Sequence, residues 1–123
     1  MKRDGAQKSL WQEVDEYKSK NSSIPAETFD VVIAGGGITG ITTALLLQKK
    51  GKKCLVAEAH SLCFGTTGGT TAHLNSFLDT SYQDINKDFG ESDAQLVAKA
   101  TRAALDLVQQ QVRDYQIDCS FEE

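Results

Sequence analysis

The sequence predicts an α/β fold in which two parallel strands are joined by a helix. Three observations support this fold class: a run of β-branched residues at positions 31–33, a cluster of three glycines that follows it, and a second apolar run at positions 54–57. Short continuous apolar runs are typical of strands buried on both faces of a parallel sheet. Parallel neighbours need a crossover connection, which is usually a helix, and the residues after the glycines have helical spacing.

The composition is that of an ordinary globular protein. The chain has 123 residues, 40% hydrophobic and 24% charged, so it forms one small domain or part of a larger one. A net charge of −4 argues against a general attraction to nucleic acid or anionic membranes, and no apolar run is long enough to span a bilayer. The first twenty residues contain no apolar segment of the signal-peptide kind, which favours a cytoplasmic location. The three cysteines include no Cys-x-x-Cys pair, so no metal site is predicted.

The elements of the βαβ unit follow one another in chain order. Residues 1–29 are polar, contain the only proline, and are interpreted as an N-terminal extension and linker. The first strand lies in "FDVVIAG". The helix lies in "ITGITTALLLQKK" and should end at Gly51, which can adopt the left-handed conformation common at helix ends. The second strand lies in "KCLVAEA".

Helices dominate the second half of the chain. After the loop "GTTGGTTAHL", a helix is predicted in "SYQDINKDF", with Tyr82, Ile85 and Phe89 on one face. The segment "SDAQ" at positions 92–95 has the form of a capping box, and an apolar stripe follows it. We therefore expect a long amphipathic helix over about residues 93–114. The segment "IDCSF" resembles the start of a third strand.

The glycine cluster has the spacing of a dinucleotide-binding turn. Gly35, Gly37 and Gly40 satisfy G-x-G-x-x-G between a predicted strand and a predicted helix. The first glycine permits the tight turn, the second lets a pyrophosphate approach the backbone, and the third lets the helix pack close to the strand. The start of the helix, at Ile38 and Thr39, offers free N–H groups to phosphates.

An acid follows the motif at the expected distance. Glu58 ends the second predicted strand, 23 residues after Gly35, where a carboxylate can accept hydrogen bonds from a ribose hydroxyl pair. The same charge would repel a 2′-phosphate, which argues against NADP. The βαβ unit alone does not distinguish FAD from NAD.

The Gly/Thr-rich loop after the second strand has two interpretations of equal weight. Small residues and hydroxyls let backbone N–H groups face a phosphate or a flat ligand. Alternatively, the loop is flexible and its threonines cap the next helix.

The quoted motifs resemble a known family. The combination of "DVVIAGGGITG", "LVAEA" and "GTTGGTTAHL" is similar to the N-terminus of FAD-dependent oxidoreductases of the D-amino-acid oxidase and glycine oxidase superfamily. The segments "SLW", "TTAHL", "FGESDA" and "IDCSF" resemble its bacterial branch, in which a C-terminal Rieske [2Fe-2S] domain follows the flavin domain. The resemblance extends over about residues 9–121. It implies a Rossmann-like βαβ FAD-binding fold, present here as its incomplete N-terminal portion over residues 30–123, truncated before the substrate domain.

The resemblance also implies which residues bind the cofactor. In relatives with covalent flavin a histidine lies where this chain has Gly69, and His73 does not match that position, so FAD is expected to bind non-covalently. The Rieske cluster would belong only to a longer parent protein. The expected FAD-binding residues are Gly35, Gly37, Ile38, Thr39, Gly40, Glu58, Ala59, Thr66, Thr67, Gly68 and Thr71.

The implied reaction is removal of a hydride from a C–N bond of an amine or amino acid, followed by hydrolysis of the imine. The flavin supplies this chemistry, and the protein binds and orients it. Catalytic residues cannot be assigned, and this chain alone is expected to lack the substrate site. Two alternatives are the nucleotide-binding segment of an NAD-dependent dehydrogenase or reductase, and a catalytically inactive fragment.

Overall fold

The computed structural model describes residues 9, 26–70 and 73–121, and the chain divides into two units, residues 1–71 and 72–123. The described residues contain two parallel strands and three helices, which confirms the α/β class. The first unit holds β1 (Val31–Ala34), α1 (Ile38–Lys49) and β2 (Cys54–Ala57), and the second holds α2 (Tyr82–Phe89) and α3 (Glu91–Asp114).

The two strands form a parallel pair with its register set at both ends. Val31 lies opposite Cys54, and Ala34 lies opposite Ala57. The pairing continues past β1, because the Gly35 N–H donates to the Ala57 carbonyl at 2.8 Å. The two strands therefore end side by side, and the residues that follow them leave the sheet at the same edge.

Helix α1 covers one face of β1. Val31 and Ile33 are half-buried, whereas Val32 is 64% exposed on the opposite face. The Cγ2 atom of Ile33 lies 3.3 Å from the place where a Cβ on Gly40 would lie, so Ile33 faces α1. The prediction that this strand is buried on both faces is wrong, because α1 packs against only one of them.

The predicted end of α1 is confirmed. The helix stops at Lys49, and Gly51 has a φ of +78°. The Gly51 N–H donates to the Gln48 carbonyl at 2.9 Å, which satisfies an acceptor that the helix end would otherwise leave without a partner.

Helix α2 begins at a serine cap and packs against α3. The Ser81 hydroxyl oxygen accepts the Asp84 N–H at 3.1 Å. Ile85 of α2 and Ala94 of α3 are the buried apolar side chains of this unit. Phe89, at the end of the face that it shares with Ile85, is 71% exposed, so α3 covers only part of that face.

Hydrogen bonds also join α2 to α3. The Tyr82 hydroxyl donates to the Ser76 carbonyl, and it lies 3.1 Å from the hydroxyl of Thr101 on α3. The Thr101 hydroxyl also lies within hydrogen-bonding distance of the Val97 and Ala98 carbonyls one turn earlier. The start of α2 is therefore tied to the middle of α3 by polar contacts as well as by packing.

Helix α3 begins earlier than the capping-box pattern predicts. Its first residue is Glu91, and its N-cap is Gly90, which has a φ of +94° and also ends α2. The Gln95 side chain donates to the Glu91 carboxylate at 3.0 Å, so the predicted pairing of Ser92 with Gln95 is wrong. No helix in the described part of the chain is long and apolar enough to cross a membrane.

The third strand predicted at "IDCSF" is wrong. Residues 115–121 contain no strand, and Gln116 and Ser120 have φ values of +50° and +48°. Residues in the left-handed region interrupt the extended backbone that a strand requires.

The contact between α2 and α3 gives a testable prediction. Ile85 is 7% exposed, whereas Leu96 on the neighbouring helix is 64% exposed. We expect Ile85→Ala to lower the free energy of unfolding by about 2–4 kcal/mol, because it removes buried methyl groups and leaves a cavity. Leu96→Ala should change it by less than about 0.5 kcal/mol. Urea denaturation followed by circular dichroism measures both, and equal losses would contradict the helix pairing.

Candidate functional site

The turn between β1 and α1 requires glycine at its first position. Gly35 has a φ of +104°, a conformation that residues with a side chain rarely adopt. The chain thereby reverses direction within three residues, and α1 begins at Ile38. The sharp turn predicted at Gly35 is confirmed.

The third glycine of the motif allows close packing. A Cβ on Gly40 would lie closer than 3.0 Å to the Gly35 carbonyl oxygen, a separation that Cβ atoms essentially never show. It would also lie 3.3 Å from the Ile33 side chain. The close approach of helix and strand predicted at this position is confirmed.

Glu58 binds the glycine turn directly. Its Oε2 atom accepts the Gly36 N–H at 2.6 Å, and its Oε1 atom accepts the His60 N–H at 2.9 Å. These two backbone donors, the Gly36 N–H above all, hold the pKa of the Glu58 carboxyl below its ordinary value, because they stabilise the charged form. An ionised carboxylate has room for further donors, since its two oxygens accept about four hydrogen bonds.

The start of α1 is bonded to a residue of the Gly/Thr-rich loop. The Ile38 N–H donates to the Thr67 Oγ1 atom at 3.1 Å. The first backbone bond of the helix runs from the Ile41 N–H to the Gly37 carbonyl at 3.0 Å. The helix itself therefore leaves the N–H groups of residues 38–40 for other acceptors.

The loop after β2 packs on the glycine turn. The Cys63 N–H donates to the Gly36 carbonyl at 3.0 Å, and Cys63 has a φ of +62°. A Cβ on Gly36 would lie closer than 3.0 Å to the Leu62 side chain. The Ser9 hydroxyl donates to the Gly68 carbonyl, which connects the N-terminal segment to the same loop.

Ten of the eleven predicted cofactor-binding residues lie in the described part of the first unit. The contacts above join the glycine turn to Glu58 and Thr67, while Ala59 and Thr66 are exposed and Gly68 is buried. Thr71 lies outside the described residues. His73 belongs to the second unit, where it is exposed and lines a pocket of about 200 Å³ with Thr101 and other residues of α3.

The motif-based prediction missed the contribution of Gly36, Leu62 and Cys63. The G-x-G-x-x-G pattern leaves the residue between the first two glycines open, yet Gly36 donates to Glu58, accepts from Cys63 and has no space for a Cβ beside Leu62. Three consecutive glycines, where the pattern needs only two, were the signal in the sequence.

The described residues contain no group of three His, Cys, Asp or Glu side chains that could hold a metal ion. Cys54, Cys63 and Cys119 are free thiols.

Comparison with known proteins identifies the family. Residues 30–123 match the family of FAD dependent oxidoreductases (DAO). The match begins one residue before β1 and includes residues of both units. The chain belongs to this family. No solved structure matches it significantly.

Three curated relatives are similar to this chain. It is 42% identical over 92 residues to YhfW of Bacillus subtilis (strain 168), named as a Rieske 2Fe-2S iron-sulfur protein, with 75% of this chain and 18% of the relative covered. It is 30% identical over 105 residues to gamma-glutamylputrescine oxidoreductase of Escherichia coli (strain K12), with 85% and 24% covered. It is 27% identical over 95 residues to OrdL of Haemophilus influenzae, named as an oxidoreductase, with 77% and 22% covered. The matched residues thus span less than a quarter of each relative.

The packing at Gly40 gives a second prediction. Alanine normally stabilises a helix interior relative to glycine by about 0.5–1 kcal/mol. Here the added Cβ would meet the Gly35 carbonyl, so we expect Gly40→Ala to destabilise the chain by about 1–3 kcal/mol. Gln48→Ala, at an exposed position of the same helix, is the control and should be nearly neutral. The urea midpoint measures both, and a stabilised Gly40→Ala chain would rule out the close approach.

The bonds of Glu58 give a third prediction. Because the folded-state pKa lies below the ordinary value of 4.5, the carboxylate stabilises the fold above about pH 4.5, and this contribution is lost as the pH falls through the lowered pKa. Glu58→Gln cannot titrate. We expect its melting temperature to lie below that of the unaltered chain at neutral pH, and the gap to shrink below about pH 4.5. Asp79→Asn controls for the loss of one negative charge, and a gap for Glu58→Gln that does not change with pH would contradict the assignment.

Proposed function

We propose that this chain binds FAD non-covalently and supplies the N-terminal part of the FAD-binding domain, of Rossmann-like βαβ architecture, in a flavin-dependent oxidoreductase. The observation that supports it most is the union of three features in the first unit. A turn that favours glycine at Gly35, where φ is +104°, leads into the start of α1, and the carboxylate of Glu58 is bonded to that turn. Family membership agrees with this proposal.

The residues present fit the cofactor. Gly37 carries no Cβ, and the helix does not use the N–H groups of residues 39 and 40, so backbone donors are available to a pyrophosphate beside the Ile38 N–H, which Thr67 accepts. Glu58 is ionised at neutral pH and keeps acceptor positions for a ribose hydroxyl pair. In the proposal, the residues that border the phosphates are Gly35, Gly37, Ile38, Thr39 and Gly40. The ribose is bordered by Glu58 and Ala59. The loop residues Thr66, Thr67, Gly68 and Thr71 lie near the phosphates and the flavin side.

The chain's own residues have distinct tasks in this arrangement. Gly35 and Gly40 fix the turn, so the positive end of the α1 dipole faces the phosphates. Glu58 orients the turn through the Gly36 N–H and discriminates against a 2′-phosphate by charge repulsion. When bound, FAD supplies the acceptor for a hydride, and the protein supplies binding and orientation.

We further propose that the parent protein oxidises the C–N bond of an amine or amino acid. The support is the resemblance of the sequence motifs to amine- and amino-acid-oxidising flavoenzymes and the similarity to gamma-glutamylputrescine oxidoreductase. The similarity to YhfW supports a Rieske cluster in a longer form of the protein. The three free thiols agree with a reducing, cytoplasmic location.

Flavin retention tests the proposal. The purified chain is incubated with FAD, desalted, and examined by visible absorption. We expect a retained flavin band, and we expect FMN, which lacks the adenosine and the pyrophosphate, not to be retained. Retention of NADH without FAD would instead select the dehydrogenase alternative.

The same experiment tests the role of Glu58. Glu58→Gln should weaken FAD binding by about tenfold or more, since an ionised acceptor makes stronger hydrogen bonds than a neutral one. Asp79→Asn, a loss of one exposed carboxylate in the second unit, should leave the affinity unchanged. Titration of the quenched flavin fluorescence measures both, and equal affinities of the two variants would exclude Glu58 from the cofactor site.

A further inference from the structure

The hydroxyl of Thr67 lies beside the space that the second glycine of the motif leaves open. The second glycine of the motif is expected to admit a pyrophosphate because it lacks a Cβ. In this structure the Thr67 Oγ1 atom lies 3.0 Å from the position that a Cβ on Gly37 would take. The same oxygen accepts the Ile38 N–H at 3.1 Å. Thr67 therefore borders the space beside Gly37 and accepts one of the N–H groups that the start of α1 offers.

Thr67 acts here as a helix cap from a distant part of the chain. The N-cap residue of α1 is Gly37, which has no side chain to accept a hydrogen bond. A helix start leaves its first N–H groups without partners, and a hydroxyl is one of the preferred acceptors for them. Thr67, which lies 29 residues away in sequence from Ile38, takes that role.

We propose that the Thr67 hydroxyl is a displaceable substitute for a phosphate oxygen. It caps α1 in the ligand-free chain and moves aside when the pyrophosphate of the dinucleotide binds. This inference rests on the proposed function, because it concerns the same site. A phosphate oxygen that accepts the Ile38 N–H would need the position that the Thr67 Oγ1 atom takes, and one N–H cannot donate fully to both oxygens.

The exchange favours the ligand. A neutral hydroxyl acceptor is replaced by a charged phosphate oxygen, and charge-assisted hydrogen bonds are roughly twice as strong as neutral ones. Thr67 can leave by rotation about its Cα–Cβ bond to another staggered rotamer.

Thr67→Ala separates displacement from direct binding. In the ligand-free chain we expect faster amide hydrogen exchange at Ile38, because its acceptor is removed. We also expect FAD and ADP, which share a pyrophosphate, to bind about three- to tenfold more tightly, since no hydrogen bond has to be broken first. Thr67→Ser should restore both values. Thr43→Ala removes a hydroxyl that bonds the Thr39 carbonyl within α1, and it should change neither.

The outcomes distinguish this inference from the proposed function. If Thr67→Ala binds FAD and ADP more weakly than the unaltered chain, the hydroxyl is a phosphate ligand. If amide hydrogen exchange at Ile38 is the same in both chains, the hydroxyl is not a cap. Either result overturns the inference while FAD binding by the unaltered chain stands. Failure of every chain to bind FAD or ADP would refute the proposed function and the displacement together, with the cap still judged by exchange at Ile38.

If Thr67→Ala does not fold, nuclear magnetic resonance of the unaltered chain decides. On addition of ADP, the Ile38 amide and Thr67 methyl signals must shift together, and a stationary Thr67 signal overturns the inference.

Discussion

The arrangement of the first unit depends on the hydrogen bond between the Glu58 carboxylate and the Gly36 N–H. This bond, at 2.6 Å, ties the residue after β2 to the turn after β1. The carbonyl of Gly36 accepts the Cys63 N–H. Both backbone polar groups of Gly36, its N–H and its carbonyl, are therefore bonded to residues that follow β2. The loop that contains Thr67 is positioned over the start of α1 as a consequence, because its first residues are held at Gly36.

In the proposed function, the same interaction explains how an acid can lie beside a turn that binds phosphates. A carboxylate and a pyrophosphate repel each other, so each of the two anions needs hydrogen-bond donors of its own. Here the backbone N–H groups of Gly36 and His60 stabilise that charge, while the N–H groups of residues 38–40 belong to a different part of the turn. In the proposed function, the first set of donors stabilises the ionised carboxylate and the second set binds the phosphates. The acid then remains available to the ribose.

The strands, α1 and the ends of the glycine turn could be predicted from the sequence because local chemistry determines them. β-Branched residues favour strands, and the positive φ values of Gly35 and Gly51 need glycine. The start of α3 could not be predicted in this way. Gly90 ends α2 and is also the N-cap of α3, so α3 starts before Ser92, the serine on which the capping-box prediction depends. The exposure of Val32 likewise depends on which face of the strand a helix covers, and the apolar pattern of β1 contains no sign of it.

The position of Thr67 shows the limit of motif-based prediction more sharply. The sequence offered two roles for the threonines of the loop, contact with a ligand or capping of the helix that follows. Thr67 instead caps the helix that precedes it, which only tertiary structure brings near. The residue type matters for the proposed exchange. An acidic residue at this position would cap Ile38 more strongly, but its charge would repel a phosphate. Alanine would admit the phosphate but leave Ile38 without an acceptor in the ligand-free chain. A hydroxyl satisfies the helix in the absence of ligand and still binds weakly enough to be replaced.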